Sequence, residues 1–390
     1  MSRAGTSSGP SGWTPPPYAV SLIDVIPAVL SSMAVPVPVG GSAWRTPVVT
    51  LAPARKSVVA LVDGLGARQL RRRSGHAPFL RTLDQPVEEV RSEFPSTTAT
   101  SLASLGTGLR CGEHGLIGTL APVPGARRLF SHLTWDGGPD PLDYQPAPTL
   151  FTQAAEAGVA VTTVSRPSFV GSALTQAALH GGEFVGAGTA QERVDATISA
   201  LNAHPGPALV YLYLDEVDKA GHVHGPQSWQ WGEAVENADR TLRDVADRMP
   251  AGTSLTITAD HGMIEAPHSH RRDLADEPDL DEGVVMLGGE PRAGHVFCEP
   301  GAQADVLSRW SEILGDESVL LSRDEAVDAG WFGTVRPGVL PRIGDIVTAM
   351  TGQFTVLDSR VSRAGFLALI GHHGSMSDDE TLVPLLHRPA

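Results

Sequence analysis

Four apolar runs stand out along the chain, and each stops at a polar cluster. Residues 57–62 run into Asp63-Gly64, and residues 160–164 into Ser165-Arg166-Pro167. Residues 208–214 run into Asp215, and residues 254–259 into Asp260-His261-Gly262. A strand with one wet face alternates apolar and polar residues. These runs are apolar nearly throughout, which suits strands covered on both faces. Helical patterns lie between them, at residues 148–157, 192–203 and 228–249. Strands alternating with helices predict an α/β fold: a mostly parallel central sheet with helices on both faces. In such open sheets, sites form beyond the carboxyl ends of the strands. Three of the four runs end at an aspartate or an aspartate cluster. Each of these residues could equally cap a turn or a helix.

Three segments join Asp, His and Gly at close spacing. In Asp218-Lys-Ala-Gly-His222, the i, i+4 pair faces one way if the stretch is helical. Asp260-His261-Gly262 sits at a strand end, and Gly371-His-His373-Gly374 lies near the C-terminus. Asp63 adds a further carboxylate. Oxygen and imidazole ligands without thiolate suit Zn²⁺ or Mn²⁺. The other histidines considered, His114, His132, His180, His268 and His270, lack this patterning and read as structural or exposed.

The net charge of −15 argues against a general nucleic-acid surface. The one dense basic cluster, Arg71-Arg72-Arg73, reads as a solvated helix face. A phosphorylated substrate would therefore need its positive charge from metal. Asp63, Asp218 and Asp260 carry three negative charges, so two divalent ions among them would leave the site net positive by one. The nucleophile must come from elsewhere. The hydroxyl-rich residues 94–101 lead into a helical stretch that ends at Gly108. A hydroxyl at a helix N-terminus meets free backbone N–H groups that also bind phosphate oxygens.

These motifs, in this order, resemble the nucleotide pyrophosphatase/phosphodiesterase family of the alkaline phosphatase superfamily. Asp63-Gly64, Phe94-Pro-Ser-x-Thr98 with Thr107-Gly108, and Glu113-His114-Gly115 look like its nucleophile region. Asp218-Lys-Ala-Gly-His222-Val-His-Gly-Pro226, Ala259-Asp-His-Gly-Met263 and Gly371-His-His373-Gly374 are similar to its metal motifs. The resemblance spans residues 57 to 374. It implies an alkaline phosphatase-like sandwich with small cap insertions. It makes Thr98 the nucleophile that forms a covalent phospho-threonine. It places Asp63, Asp260 and His261 on one ion beside Thr98, and Asp218, His222 and His373 on the other. Both ions are usually zinc in the family. Tyr213 matches a position where the family places a substrate-binding aromatic. After Thr98, where the family has Phe-Pro-Asn, this chain has Ala99-Thr100-Ser101.

The reading is thus a metal-dependent hydrolase of phosphodiester or phosphoanhydride bonds, acting on a small phosphorylated substrate such as a nucleotide. The alternative is a phosphomonoesterase or phosphosugar mutase on the same scaffold. Residues 374–384 and 342–347 resemble the phosphopentomutase and phosphoglycerate mutase relatives. A catalytically silent metal-binding protein is a third reading. No Cys-x-Pro-x-Arg appears, which disfavours a sulfatase. Residues 1–17 are expected to be a disordered tail, and residues 18–390 a single catalytic domain. Loop-rich cap segments are expected near 110–150 and 262–300. Two cysteines, no signal-type N-terminus and no unbroken apolar span suggest a cytoplasmic protein that does not enter membranes. The sequence leaves the oligomeric state open.

Overall fold

The computed structural model describes residues 20–36, 47–88 and 90–390. The expected tail at residues 1–17 lies outside the described residues. The four apolar runs become strands Lys56–Val62, Ala160–Ser165, Ala208–Leu214 and Thr253–Thr258. They form most of a six-stranded sheet. Its order is Leu385–Arg388, Thr253–Thr258, Lys56–Val62, Ala208–Leu214, Ala160–Ser165, Glu183–Gly186. Every pairing is parallel except the edge strand Leu385–Arg388, which runs antiparallel to Thr253–Thr258. Ala208–Leu214 is buried along its whole length, as the unbroken apolar run requires.

Helices complete the layers. Trp229–Arg248 buries Trp231, Val235, Leu242 and Val245 on one stripe, at helical spacing. The Thr98–Thr107 helix is buried from Ala99 onward and ends at Gly108, whose φ of +69° suits glycine at a helix C-terminus. No helix among the described residues is long and apolar enough to cross a membrane.

Residues 110–150 and 262–300 are richer in regular structure than their Pro and Gly content suggests. They supply strands Leu120–Pro122, Leu129–Ser131, Val284–Glu290 and Ala293–Cys298. With Ser318–Ser322 and Ile346–Met350 these form a second six-stranded sheet, antiparallel at every pairing. Leu120–Pro122 and Leu129–Ser131 have three residues each, and glycines interrupt Val284–Glu290 and Ala293–Cys298, so their signal is weak in sequence. A separate apolar cluster under this sheet holds Trp331, Phe332 and Ile343. Phe94 inserts there edge-on to Trp331, with ring centroids 5.0 Å apart. Burying such a ring contributes about 1.5–3 kcal/mol, and it anchors the segment before Thr98 to the second sheet.

Candidate metal and nucleophile site

The site lies beyond the carboxyl ends of the central strands. Asp63 follows Lys56–Val62, and Asp260 follows Thr253–Thr258. The chain after Ala208–Leu214 turns into the helix Glu216–His224, which puts Asp218 and His222 on one face, with His222 Nε2 3.4 Å from Asp218 Oδ1. Gly64, at φ +72°, lets these two loops meet: a Cβ there would sit 2.8 Å from Asp218 Cα. His373 follows the short strand Gly371–His372, which pairs with Ile264–Glu265.

Two groups of ligand-type atoms emerge. Asp218, His222 and His373 form one, and Asp63, Asp218 and His261 the other; within each, the ligand atoms lie within 4.8 Å of one another. Asp218 belongs to both. Asp260, grouped with Asp63 and His261 by the family resemblance, lies alongside, its Oδ2 3.5 Å from His261 Nε2. His261 Nε2 is also 3.6 Å from Asp63 Oδ1, and His373 Nε2 is 3.3 Å from His222 Nε2. The His261 and His373 rings stack with centroids 3.6 Å apart.

The polar atoms left over fit divalent cations. Asp63 Oδ1, Asp218 Oδ1 and Asp260 Oδ2 are buried without a hydrogen-bond partner. Each histidine spends Nδ1 on a backbone carbonyl: His222 on Gly371 (2.8 Å), His261 on Gly262 (2.9 Å), His373 on Ser96 (2.8 Å). A carbonyl only accepts, so Nδ1 carries the proton and Nε2 presents a lone pair, the arrangement of a metal-ligating imidazole. Burial, then the charges of Asp260 and Asp218, pushes the Asp63 carboxyl well above the usual carboxylate range. Burial, then His261 and His222, holds His373 well below the usual imidazole range. Cations seated among these groups would relieve the carboxylate repulsion and take the imidazole Nε2 atoms as ligands.

Thr98 is the first residue of its helix, and its Oγ1 lies 3.3 Å from His261 Nε2. Thr98, Asp63, Asp218 and Tyr213 line a cavity of about 350 Å³. Tyr213 is only 7% exposed, and its hydroxyl donates to Asp63 Oδ2. Phe169 packs edge-on to Tyr213 at 6.1 Å, and Phe169 and Phe184 both line the cavity. Ala99 is fully buried in the core, so the aromatic wall comes from the 165–186 region instead of the residue after Thr98.

Other sequence candidates sort out plainly. Asp215 stays out of the cluster and joins an ion-pair group with Arg166 (2.9 Å), Lys219 and Arg193 (3.7 Å). His114 is buried against Ser104 Oγ at 2.9 Å. His132 is held between the Gly118 carbonyl and the Tyr144 hydroxyl. Arg342 lies over the Tyr144 ring at 3.5 Å and donates to the Gly115 carbonyl, away from the ligand cluster.

Two features had gone unread in the sequence. Ser96 clasps the His373 segment: its Oγ donates to the Ser375 carbonyl (2.8 Å) and accepts from Gly374 N–H (3.1 Å). Arg292 and Glu380, each with a side chain 0% exposed, form a bidentate pair at 2.7 and 2.9 Å. Glu380 also accepts from Ser375 N–H at 2.9 Å. Nothing local marks either residue, since Glu380 follows Asp378-Asp379 and Arg292 lies two residues after Glu290.

Comparison with known proteins places this geometry in context. A family model described as type I phosphodiesterase / nucleotide pyrophosphatase matches residues 57–376. Mouse ectonucleotide pyrophosphatase/phosphodiesterase family member 1 is 26% identical over 215 residues, covering 52% of this chain and 23% of that protein. Mouse family member 7 is 44% identical over 61 residues, 14% of each. The matched stretch thus spans less than a quarter of either relative. Among solved structures, murine ectonucleotide pyrophosphatase/phosphodiesterase 5 has the same fold, with a TM-score of 0.70 at 19% identity over 86% of this chain and 89% of that one. An inactive variant of that murine protein has been solved in complex with AMP; it scores 0.69 at 18% identity over 85% and 87%. Phosphonoacetate hydrolase from Sinorhizobium meliloti, in complex with phosphonoformate, scores 0.66 at 19% identity over 90% and 93%.

Proposed function

The chain belongs to the type I phosphodiesterase / nucleotide pyrophosphatase family, and from that premise we propose that it hydrolyses phosphodiester or phosphoanhydride bonds, with Thr98 as nucleophile. The observation that carries this reading is the convergence of three imidazole Nε2 atoms and three unpartnered carboxylate oxygens beside the Thr98 hydroxyl. Asp63, Asp260 and His261 would hold one divalent cation, and Asp218, His222 and His373 the other, with Asp218 close to both. Bound there, zinc or manganese would supply Lewis-acid charge to the phosphoryl oxygens and ease ionisation of a hydroxyl.

Thr98 Oγ1 attacks phosphorus, forming the P–O(Thr98) bond as the bond to the leaving oxygen breaks. The hydroxyl proton ends on the departing alcohol or phosphate. Water then adds to the phospho-threonine, which restores the Thr98 hydroxyl and releases the phosphorylated product. The helix N-terminus at Thr98 presents backbone N–H groups toward the charge that develops on the phosphoryl group. Tyr213 holds Asp63 in place through its hydroxyl and offers its ring to the cavity. Phe169 and Phe184 give that cavity the apolar, aromatic wall a nucleobase would use. An AMP complex of a structural relative is consistent with a nucleotide there.

The test is hydrolysis of bis-p-nitrophenyl phosphate and p-nitrophenyl phosphate by the zinc-loaded protein and its Thr98→Ala variant. Diester preference, lost by at least about 10³-fold in the variant with metal retained, is the expected result. Monoester preference would move the function to a phosphatase. Wild-type turnover by Thr98→Ala would remove the nucleophile assignment.

A further inference from the structure

A second cavity, of about 340 Å³, adjoins the first. The two share Leu133 and Thr134, on the loop after Leu129–Ser131, which therefore stands as a partition between them. The partition is held in place: beside it, His132 is fixed by Gly118 and Tyr144, and Trp135 donates its indole N–H to the Pro139 carbonyl at 2.6 Å. Thr98 lines only the first cavity. Glu290, the last residue of Val284–Glu290, lines only the second.

Glu290 also borders the ligand cluster. It packs on Gly374, next to His373, so closely that a Cβ on that glycine would lie 2.9 Å from Glu290 Cβ. It lies within electrostatic reach of His222 and Asp218. Glu290 thus ties the second cavity to the His222/His373 side of the centre, whereas Thr98 lies beside His261. Displacement in line with Thr98 sends the leaving oxygen away from Thr98, toward this second cavity. Its walls include Leu287, Val356 and Phe366; at its edge Thr119 hydrogen-bonds the Glu290 carboxyl, while Glu290 Oε1 is buried without a hydrogen-bond partner. An unpartnered carboxylate oxygen in apolar surroundings costs free energy that a donor would recover.

We propose that the second cavity is the leaving-group subsite, and that it selects phosphodiesters whose leaving alcohol has an apolar, aryl-sized body ending in an amine received by Glu290. The inference rests on the phosphodiesterase reading and adds the class of leaving group to it. The partition at Leu133 and Thr134 keeps that group apart from the organic group retained on the phosphate.

The experiment compares two methyl phosphate diesters, of 4-propylphenol and of 4-(2-aminoethyl)phenol, with release of the phenol followed for the zinc-loaded full chain. These leaving groups are similar in size and acidity and differ in the amine. Wild type should favour the amine ester by about tenfold in kcat/KM. Glu290→Met should bring that ratio close to one. Leu287→Trp, which fills the cavity, should lower kcat/KM for both esters, with an unchanged melting temperature confirming the fold. Turnover of both esters without discrimination, or an unchanged ratio in Glu290→Met, overturns the subsite and leaves the phosphodiesterase reading standing. Absence of turnover of either ester, with wild type no better than Thr98→Ala, removes both.

Discussion

The His373 imidazole donates through Nδ1 to the backbone carbonyl of Ser96 at 2.8 Å, across 277 residues of sequence. That bond joins the segment leading to Thr98 directly to a candidate ligand on the C-terminal loop. Ser96 N–H donates in turn to the Gly374 carbonyl at 3.0 Å, and the Ser96 hydroxyl completes two more bonds to the same loop. The proposed nucleophile and the candidate ligand are therefore held as one unit.

Ser96→Ala should loosen that unit. The buried Ser375 carbonyl and Gly374 N–H would each lose a partner, at about 1–3 kcal/mol per unsatisfied group. The expected outcome is a lower melting temperature and weaker zinc retention at the His373 position. Dialysis against a chelator, followed by metal analysis, reads the second effect. Full retention alongside wild-type kinetics would show that the clasp does not position His373.

Asp218 belongs to both ligand groups, whereas Asp260 lies beside only one. Asp218→Asn should therefore empty both positions, and Asp260→Asn should cost about one ion per chain. Metal content per chain by elemental analysis distinguishes the two variants. Equal losses would contradict the shared role of Asp218. Because bound cations would relieve the repulsion around Asp63, added zinc should also raise the melting temperature, by the equivalent of about 2.7 kcal/mol at a hundredfold excess over Kd.

The Arg292–Glu380 pair is completely buried. Glu380 also takes Ser375 N–H and the Ser377 hydroxyl, and Arg292 donates to the Phe354 and Met350 carbonyls. Removing one partner leaves a buried, uncompensated charge. Arg292→Met or Glu380→Leu alone should cost about 3–5 kcal/mol in urea unfolding. The double variant Arg292→Met/Glu380→Leu should cost less than the sum of the two single replacements. Strict additivity would mean the two side chains act independently.

Among the histidines outside the ligand cluster, His114, His132 and His295 are buried in neutral form. Burial first, then nearby positive charges, lowers His114 to about 3. Burial lowers His132 to about 4, against a smaller opposing effect of the Gly118 carbonyl. Burial, then Arg323, lowers His295 to about 3. Below an unfolded-state value of about 6.5, the unfolded chain binds these protons and the folded chain does not. Stability from these groups is therefore fully present above about 6.5 and falls as the pH drops toward 4 and then 3. The slope is at most about 1.4 kcal/mol per pH unit for each histidine. Urea melts at pH 7, 6 and 5 should show this decline, and His295→Gln should flatten it by about one proton. A pH-independent melt would refute the buried neutral forms.

The pattern of apolar runs by itself determined the central strands, their parallel arrangement and the strand-end positions of Asp63 and Asp260. A strand covered on both faces must be apolar along its whole length, and that requirement is written locally. The spacing of Asp218 and His222 was likewise legible, because a helix places i and i+4 on one face. Tertiary structure alone decided the rest. Asp215 ends a strand just as Asp63 does, but Arg166, Arg193 and Lys219 surround it and draw it into an ion-pair group. The second sheet was hidden because some of its strands are very short, others are broken by glycine, and they get partners from segments far apart in sequence. The tie between Ser96 and His373, the sharing of Asp218 and the unpartnered oxygen of Glu290 beside a second cavity depend on packing among distant segments. No local period encodes such through-space contacts, so only the folded chain brings them together.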